Sequence, residues 1–333
     1  MATKVTELPP ALSGFTPEAM YFDGRAEWLE IRKKFIGGSE SATLLGHGMF
    51  SSPYALYMDK TGGAPDMFTD NVRMVWGTRL EYSIRDGIAQ DLGYDLDECL
   101  YCEGVYFYAN GPARLGSTPD AVLPYPSYKV HEALGEDVTG PGVFEVKNVD
   151  SLVHHQKWTD DEPPVQYIVQ LQHYLAVTGY EWGVLGALVG GNTPYVYFYR
   201  RHQPTIDAIT SACLEFWQGV DEGKAPAIDD SGATENTIKA MHPTDNGAEL
   251  DLTSDNELPT LCAEFKQHKA AEKEIGAAIR GLRSKIMEKV GDNRKVHTNG
   301  YTVNAPSRDV DGYWVNPRTQ RTLTIKELNN GKA

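Results

Sequence analysis

The stretch Val143-Phe144-Glu145-Val146-Lys147 restricts the fold of this chain more than any other. Glu145 and Lys147 are separated by one apolar residue, so on a β-strand their side chains leave the same face. Asp120 follows a proline at the end of another strand-like segment and can bring a second carboxylate to the same point. Two acids beside a lysine form a compact site for a divalent metal ion and an activated water.

The composition is that of an ordinary globular protein with a sizeable core. With 333 residues, of which 41% are hydrophobic and 23% are charged, the chain is expected to fold as more than one unit. No apolar run approaches the roughly 20 residues that span a bilayer, and the first residues lack the apolar core of a signal peptide. We therefore expect a cytosolic protein that does not enter a membrane and whose four cysteines are reduced.

The formal net charge of −15 lowers the expectation of a nucleic-acid-binding function. An acidic protein is not attracted nonspecifically to phosphate backbones or acidic membranes. The charge still permits nucleic acid to bind in a locally basic channel around metal ions.

Composition and periodicity divide the chain into four parts. We expect an N-terminal arm at 1–20, an α/β core at 21–228, an acidic linker or loop at 229–256 and an extension at 257–333. In the extension we predict a long helix from Leu258 to Val290, a β-hairpin from Lys295 to Asn304 and a strand-rich tail through Leu323.

Several elements of the core follow from local signals. The helix predicted from Trp76 to Leu92 has a core-facing stripe with one apolar residue every four positions, namely Trp76, Leu80, Ile84 and Ile88. Asn110-Gly111 predicts a β-hairpin. We expect a surface excursion at 125–141 and a polar loop after Lys147 that contains His154 and His155.

Two further helices carry polar residues of interest. Ser39 is expected to cap a short helix that follows Gly37-Gly38. Pro163-Pro164 predicts the start of a helix on which Gln166, Gln170 and Tyr174 share one face.

Glu-x-Lys alone is a weak signal, because alternating charges on a solvent-facing strand produce the same pattern. Glu81 is equally open, since it can be a solvated helix glutamate or a further acid of the site. The order of the parts is more specific. A helix acid, a hairpin, Pro119-Asp120, the strand Glu145-Val146-Lys147 and a following helix form the PD-(D/E)xK nuclease pattern.

The chain further resembles the YqaJ-type viral recombinase family, which includes the exonuclease of bacteriophage lambda. The resemblance covers about residues 20 to 225 and is carried by motifs in the same order. These motifs are Trp28-x-x-x-Arg32, Gly37-Gly38-Ser39, Gly77-x-x-x-Glu81, Gly116-Ser117-Thr118-Pro119-Asp120 and Gln170-Leu171-Gln172-His173-Tyr174-Leu175.

The resemblance implies a PD-(D/E)xK core, a central mixed sheet flanked by helices, and a role for each matching residue. The implied metal-binding groups are Asp120, Glu145, the carbonyl of Val146 and Glu81, with Mg²⁺ as the ion and Mn²⁺ as an alternative. The implied catalytic residues are Asp120, Glu145, Lys147, Glu81 and Gln170, and Lys147 orients or deprotonates the attacking water. The implied substrate-binding residues are Arg32, Ser39, Ser117, Thr118, Gln166 and Tyr174, with Arg32 and Ser39 in a pocket for a 5′-terminal phosphate.

The function implied by the resemblance is 5′-to-3′ digestion of linear double-stranded DNA, which leaves 3′ single-stranded tails for phage-type recombination. The implied partners are DNA ends and a single-strand annealing protein, in the cytosol of a bacterium or a phage-infected host. The implied assembly is a ring of three or four copies. Two alternatives stay open: an endonuclease on the same core, and a non-catalytic DNA- or protein-binding inhibitor of host recombination.

The cysteines suggest a competing cofactor. Some related nucleases carry an iron–sulfur cluster, and Cys99 and Cys102 form a Cys-x-x-Cys pair. Cys213 and Cys262 are isolated, however, so we expect no iron–sulfur cluster.

Overall fold

A five-stranded mixed sheet forms the centre of the chain. The computed structural model describes residues 17–65, 72–158 and 162–309. The strands of this sheet lie in the order β2, β5, β6, β7 and β8, which span Leu100–Tyr101, Ala121–Leu123, Gly142–Val149, Trp182–Val189 and Thr193–Arg200. Only β6 and β7 are parallel. A parallel pair needs a crossover connection, which here contains two helices.

The chain also forms a smaller sheet of three antiparallel strands. Its strands are β1 (Glu18–Tyr21), β3 (Val105–Ala109) and β4 (Leu115–Ser117), with β3 in the middle. The turn predicted at Asn110-Gly111 joins β3 to β4, which confirms the hairpin. Gly111 has φ 142°, a value that glycine adopts without strain.

Nine helices of the described chain accompany these sheets up to residue 241. They are α1 (Gly24–Arg32), α2 (Gly38–Leu44), α3 (Pro53–Thr61), α4 (Val72–Asp91), α5 (Tyr128–Leu134), α6 (Ser151–Lys157), α7 (Val165–Thr178), α8 (Gln203–Asp221) and α9 (Gly232–Met241).

Three apolar cores form among the described residues, and helices α7 and α4 contribute to the two larger ones. Leu171 and Leu175 of α7 are fully buried in one core, and Ile84 and Ile88 of α4 pack with Phe144 in the other. The strands therefore lie between helices, which confirms the predicted mixed α/β architecture. Within the described residues, no helix is long and apolar enough to cross a membrane.

The sequence interpretation missed three helices, and local capping explains α6. The predicted polar loop after Lys147 is α6, because the Asp150 carboxylate accepts hydrogen bonds from the Leu152 and Val153 N–H groups at 2.9 and 3.3 Å. The predicted excursion at 125–141 contains α5, which begins after Ser127. Residues 229–256 were interpreted as an acidic linker or loop, yet 232–241 form α9.

Two details of predicted helices were also wrong. Trp76, the first residue of the predicted α4 stripe, is 51% exposed, so the stripe meets the core only towards the end of the helix. Ser39 is not the cap of α2. Gly37 occupies that position, and its N–H donates to the Glu40 carboxylate at 2.7 Å.

The compact unit that contains the nuclease-like motifs ends at Met241, and a second unit begins at His242. The second unit contains α10 (Leu258–Val290), which is followed by the antiparallel pair β9 (Lys295–Thr298) and β10 (Tyr301–Asn304). This confirms the predicted long helix and hairpin. Most of the predicted N-terminal arm, and the predicted tail beyond residue 309, lie outside the described residues.

Candidate active site

Asp120 and Glu145 meet where β5 and β6 pair. Asp120 directly precedes β5, and Ala121 pairs with Phe144 in antiparallel register, so Asp120 reaches the next residues of β6. Its Oδ2 accepts a hydrogen bond from the Val146 N–H at 2.7 Å. The main chain of β6 thus fixes the Asp120 carboxylate beside Glu145.

The Glu145 carboxylate is buried and only partly satisfied. Its side chain is 6% exposed, and its Oε1 accepts hydrogen bonds from Gln170 Nε2 at 2.7 Å and from the Lys147 ammonium. Among the described residues, Oε2 has no hydrogen-bond partner. A buried carboxylate oxygen in this state is available to a cation.

Glu81 of α4 completes a group of three carboxylates. Burial raises the pKa of Glu81, and the charge of Glu145 raises it further. Burial likewise raises the pKa of Asp120, with Glu81 as the next cause. Burial and then Asp120 raise the pKa of Glu145 to about 8. Burial and the charges of neighbouring acids thus make all three carboxyls harder to ionise, so Glu81 is not a solvated helix residue.

Lys147 is the cation of the cluster. Burial opposes its charge, but the attraction of Glu145 and Asp120 outweighs burial and raises its pKa. Its ammonium also lies 5.5 Å from the centre of the Tyr167 ring. The spacing of Glu145 and Lys147 in the sequence therefore does bring them together.

The three carboxylates of Glu81, Asp120 and Glu145 fit a divalent metal ion of the magnesium type. In the described ranges, no set of three or more His, Cys, Asp or Glu side chains has the arrangement of a complete metal site. Magnesium does not require one, because it keeps several waters and binds through one or two carboxylates. The partnerless Oε2 of Glu145 and the raised pKa values of the acids fit such an ion.

Helix α7 braces the cluster from one side. Gln170 Nε2 donates to Glu145 and lies 2.7 Å from the hydroxyl of Tyr174, one turn further along. Gln166, one turn earlier, instead has its amide against the Met49 sulfur at 2.6 Å. Of the three polar residues predicted on this face, Gln170 contacts a carboxylate directly, and Tyr174 is linked to it through Gln170.

A small cavity of about 150 Å³ lies next to this helix. Five predicted substrate-binding residues line it, namely Arg32, Ser39, Ser117, Thr118 and Tyr174, together with Trp28, Gly37, Gly38, Tyr106 and Gly116. The sequence motifs around Arg32, Ser39 and Ser117 thus converge on one space.

Tyr106 of β3 is a cavity residue that the sequence interpretation missed. Its hydroxyl and that of Ser117 are buried, and neither has a hydrogen-bond partner in the part of the chain that is described. A Cβ on Gly116 would lie 2.4 Å from the Tyr106 hydroxyl, so only glycine leaves room for it. No local signal marks Tyr106, because its contact with Gly116 depends on the pairing of β3 with β4.

Glu40 is a second residue that the sequence interpretation missed, and it holds Arg32. Its Oε1 accepts a hydrogen bond from the Arg32 guanidinium, and its Oε2 accepts from Lys60 Nζ at 2.8 Å. Lys60 also donates to the Arg32 carbonyl at 2.8 Å. Although burial opposes ionisation, Arg32 and Lys60 lower the pKa of Glu40 to about 2. Glu40 therefore fixes the position of the Arg32 guanidinium beside the cavity.

Residues 27–181 match the YqaJ-like viral recombinase domain family. The uncharacterised protein YqaJ of Bacillus subtilis strain 168 is 31% identical over 237 residues, which are 70% of this chain and 68% of that protein. The chain belongs to the YqaJ-like viral recombinase family. This membership confirms the resemblance that the motifs indicated.

Several solved structures share part of the chain path with this family member. The alkaline exonuclease LHK-Exo of Laribacter hongkongensis, solved in complex with dAMP, is 19% identical and covers 60% of this chain and 94% of its own, with a TM-score of 0.46. A phage-related exonuclease from Haemophilus somnus 129PT is 14% identical and covers 62% and 98%, with a TM-score of 0.37. Similarity this distant transfers no residue roles.

Proposed function

We propose that this chain is a metal-dependent nuclease that digests linear double-stranded DNA from its 5′ ends and leaves 3′ single-stranded tails for recombination. The observation that carries the proposal is the hydrogen-bonded link through α7. Tyr174 lines the cavity, its hydroxyl contacts Gln170, and Gln170 donates to Glu145. A cavity suited to a phosphate therefore adjoins a cluster suited to phosphodiester hydrolysis.

In this proposal Asp120 and Glu145, with the Val146 carbonyl, hold Mg²⁺, or Mn²⁺ as an alternative, and Glu81 serves the second metal position. A bound ion would supply an activated water and neutralise charge on the phosphate oxygens. Gln170 fixes the Glu145 carboxylate, and the Val146 N–H fixes Asp120. The Lys147 ammonium, held at Glu145 Oε1, orients the attacking water.

The cavity is proposed to bind the 5′-terminal phosphate. The Arg32 guanidinium supplies positive charge and N–H donors, and the Ser117 and Tyr106 hydroxyls supply donors that no other described residue uses. A phosphate held there directs the adjoining phosphodiester towards Glu145, which gives digestion its 5′-to-3′ polarity. Ser39 and Thr118 complete the cavity wall. Gln166, outside the cavity, is proposed to contact the DNA backbone.

The cellular setting follows from the family and stays a proposal. We propose action on DNA ends in the cytosol of a bacterium or a phage-infected host, beside a single-strand annealing protein. A ring of three or four copies and the absence of an iron–sulfur cluster stay predictions.

The central experiment tests the chemistry with linear duplex DNA and Mg²⁺. We expect Lys147→Ala and Glu145→Gln to lower the rate by about 10²–10⁴, the range for loss of a positioned catalytic group. Lys239→Ala is the control, because Lys239 pairs with Glu235 on the exposed surface. Full activity in either cluster variant would contradict the assignment.

A second experiment tests the 5′-phosphate pocket. Arg32→Ala should raise KM for 5′-phosphorylated ends about 10- to 100-fold, as expected for lost hydrogen bonds to a charged group. The neighbouring Lys33→Ala is the control, because Lys33 pairs with Glu30 at the surface. Equal rates on 5′-hydroxyl and 5′-phosphate ends would refute the pocket, and cutting of closed circular DNA would indicate an endonuclease.

A further inference from the structure

Helix α10 carries a stripe of exposed apolar side chains along one side. The seven residues of the stripe are 39–60% exposed: Leu258, Leu261, Phe265, Ile275, Ile279, Leu282 and Ile286. An apolar surface of this extent marks a contact site rather than a solvated face. The helix is 33 residues long, or about 50 Å, so the site is a long, narrow stripe.

The spacing of the stripe identifies the kind of partner. Its members alternate by three and four positions from Leu258 to Ile286, which is the heptad repeat of a coiled coil. The positions that continue this repeat in the middle are His268 and Glu272. A sustained repeat of 3.5 residues keeps the stripe facing another helix of similar length, rather than a broad globular surface.

We propose that α10 pairs with α10 of a second copy of this chain in an antiparallel coiled coil. The two-fold axis passes beside Ala270. In an antiparallel pair, the first apolar position of a heptad in one helix faces the second apolar position of a heptad in the other. This register sets Leu258 against Leu282 of the second copy, Phe265 against its Ile275 and Ile279 against its Leu261. Every apolar layer within the overlap then contains two large apolar residues.

His268 and Glu272 form a polar layer in the middle of the coiled coil, and this layer determines the antiparallel direction. With the axis beside Ala270, Glu272 faces His268 of the second copy, and the same contact recurs on the other side of the axis. A parallel pair would instead place Glu272 against Glu272 within the seam, where like charges repel. Lys269 lies at the edge of this layer and pairs with Glu272 of its own helix at 2.7 Å.

Charges at the ends agree with the same register. Glu257, directly before α10, comes beside Lys285 of the second copy. The two-fold axis repeats this attraction at the other end of the seam. Opposite charges at flanking positions are the usual determinants of partner and orientation in coiled coils. The contact between the two α10 helices involves neither the cavity nor the carboxylate cluster, so it is independent of the proposed nuclease activity.

The first test measures the mass of the full chain by light scattering. Ile279→Glu puts a charge into two layers of each dimer, so we expect the dissociation constant to rise at least about a hundredfold and the number of chains per particle to halve. Ala277→Glu, on the outer side of the same helix turn, is the matched control and should keep the wild-type mass. An identical mass for wild type and Ile279→Glu would overturn the proposal and indicate a stripe covered by its own chain.

The second test fixes the direction by cross-linking. In a Cys262→Ser background, Ala271→Cys places two thiols close together across the antiparallel axis, so a short bismaleimide should yield a covalent dimer. Ala263→Cys, on the outer face, should not. Ile275→Cys distinguishes the alternative, because a direct disulfide dimer at this position forms only in a parallel pair. A disulfide at 275 without a cross-link at 271 would refute the antiparallel seam, even if every variant folds normally.

Discussion

Replacing Glu40 by glutamine should cost about 3 kcal/mol of stability at pH 7. The carboxyl is 90% buried between Arg32 and Lys60, and its pKa is about 2 instead of 4.5. At roughly 1.4 kcal/mol for each tenfold change in proton affinity, this difference favours the ionised, paired carboxylate by about 3 kcal/mol. Glutamine has nearly the shape of the protonated carboxyl, so Glu40→Gln removes this contribution and takes the Glu40 charge away from two buried cations.

The lowered pKa of Glu40 also predicts how the stability difference between wild type and Glu40→Gln changes with pH. A folded-state pKa below the unfolded value means that the stabilisation by Glu40 is fully present above pH 4.5 and is lost as the pH falls towards 2. The difference between wild type and Glu40→Gln should therefore shrink from about 3 kcal/mol at pH 7 to about 1 kcal/mol at pH 3. Other groups titrate in both proteins and cancel in the comparison.

Urea unfolding at several pH values measures this difference. Glu30→Gln is the control, because the pair of Glu30 with Lys33 is exposed and its loss should change stability by less than about 1 kcal/mol. A difference for Glu40→Gln that does not vary between pH 7 and pH 3 would refute the role of the buried charge. A loss of stability in Glu40→Gln that is no larger than the loss in Glu30→Gln would refute it as well.

Three further predictions concern the cavity and the carboxylates. Tyr106→Phe removes a hydroxyl without a partner among the described residues, so the free energy of unfolding should change by less than about 1 kcal/mol. KM for 5′-phosphorylated duplex should rise while kcat holds, and an unchanged KM would exclude the hydroxyl from phosphate binding. Gly116→Ala should cost about 1–3 kcal/mol by urea unfolding, because its Cβ would lie 2.4 Å from the Tyr106 hydroxyl; a neutral result would mean that Tyr106 moves freely. Mg²⁺ at about 100 times its Kd should stabilise the wild type by about 2.7 kcal/mol, but not Glu145→Gln, and equal shifts in melting temperature would place the metal elsewhere.

The residues predicted correctly from sequence share a property: their geometry is set locally. The two-residue period of a strand places Glu145 and Lys147 together, and Asn110-Gly111 gives the turn between β3 and β4. The four-residue period of a helix likewise places Gln170 beside Tyr174. The order of motifs along the chain then identified the family, which the relative in Bacillus subtilis confirms.

The residues that were missed depend on contacts distant in sequence. Glu40 is buried because Lys60, 20 positions later, and Arg32, eight positions earlier, converge on it. Seen in sequence alone, it is an ordinary glutamate in the first turn of a helix. Trp76 shows the reverse case. Its spacing fits the apolar stripe of α4, yet about half of its surface is exposed, because the periodicity of a helix does not indicate where the core beside it ends.

Helix α7 can serve both the cavity and the carboxylates because Gly38 allows close packing on one side of it and His173 holds β4 on another. A Cβ on Gly38 of α2 would lie 2.8 Å from Gln170 Cγ and from Tyr174 Cε1, so only glycine lets α2 approach this face. His173, on another side of α7, donates from Nε2 to the Gly116 carbonyl at 3.0 Å and so holds β4 against the helix. The same helix thereby fixes the positions of Gln170 at the carboxylates and of Gly116 at the cavity. A terminal phosphate and the bond to be cut would then be held at a separation set by one rigid element, which is what directional digestion from an end requires.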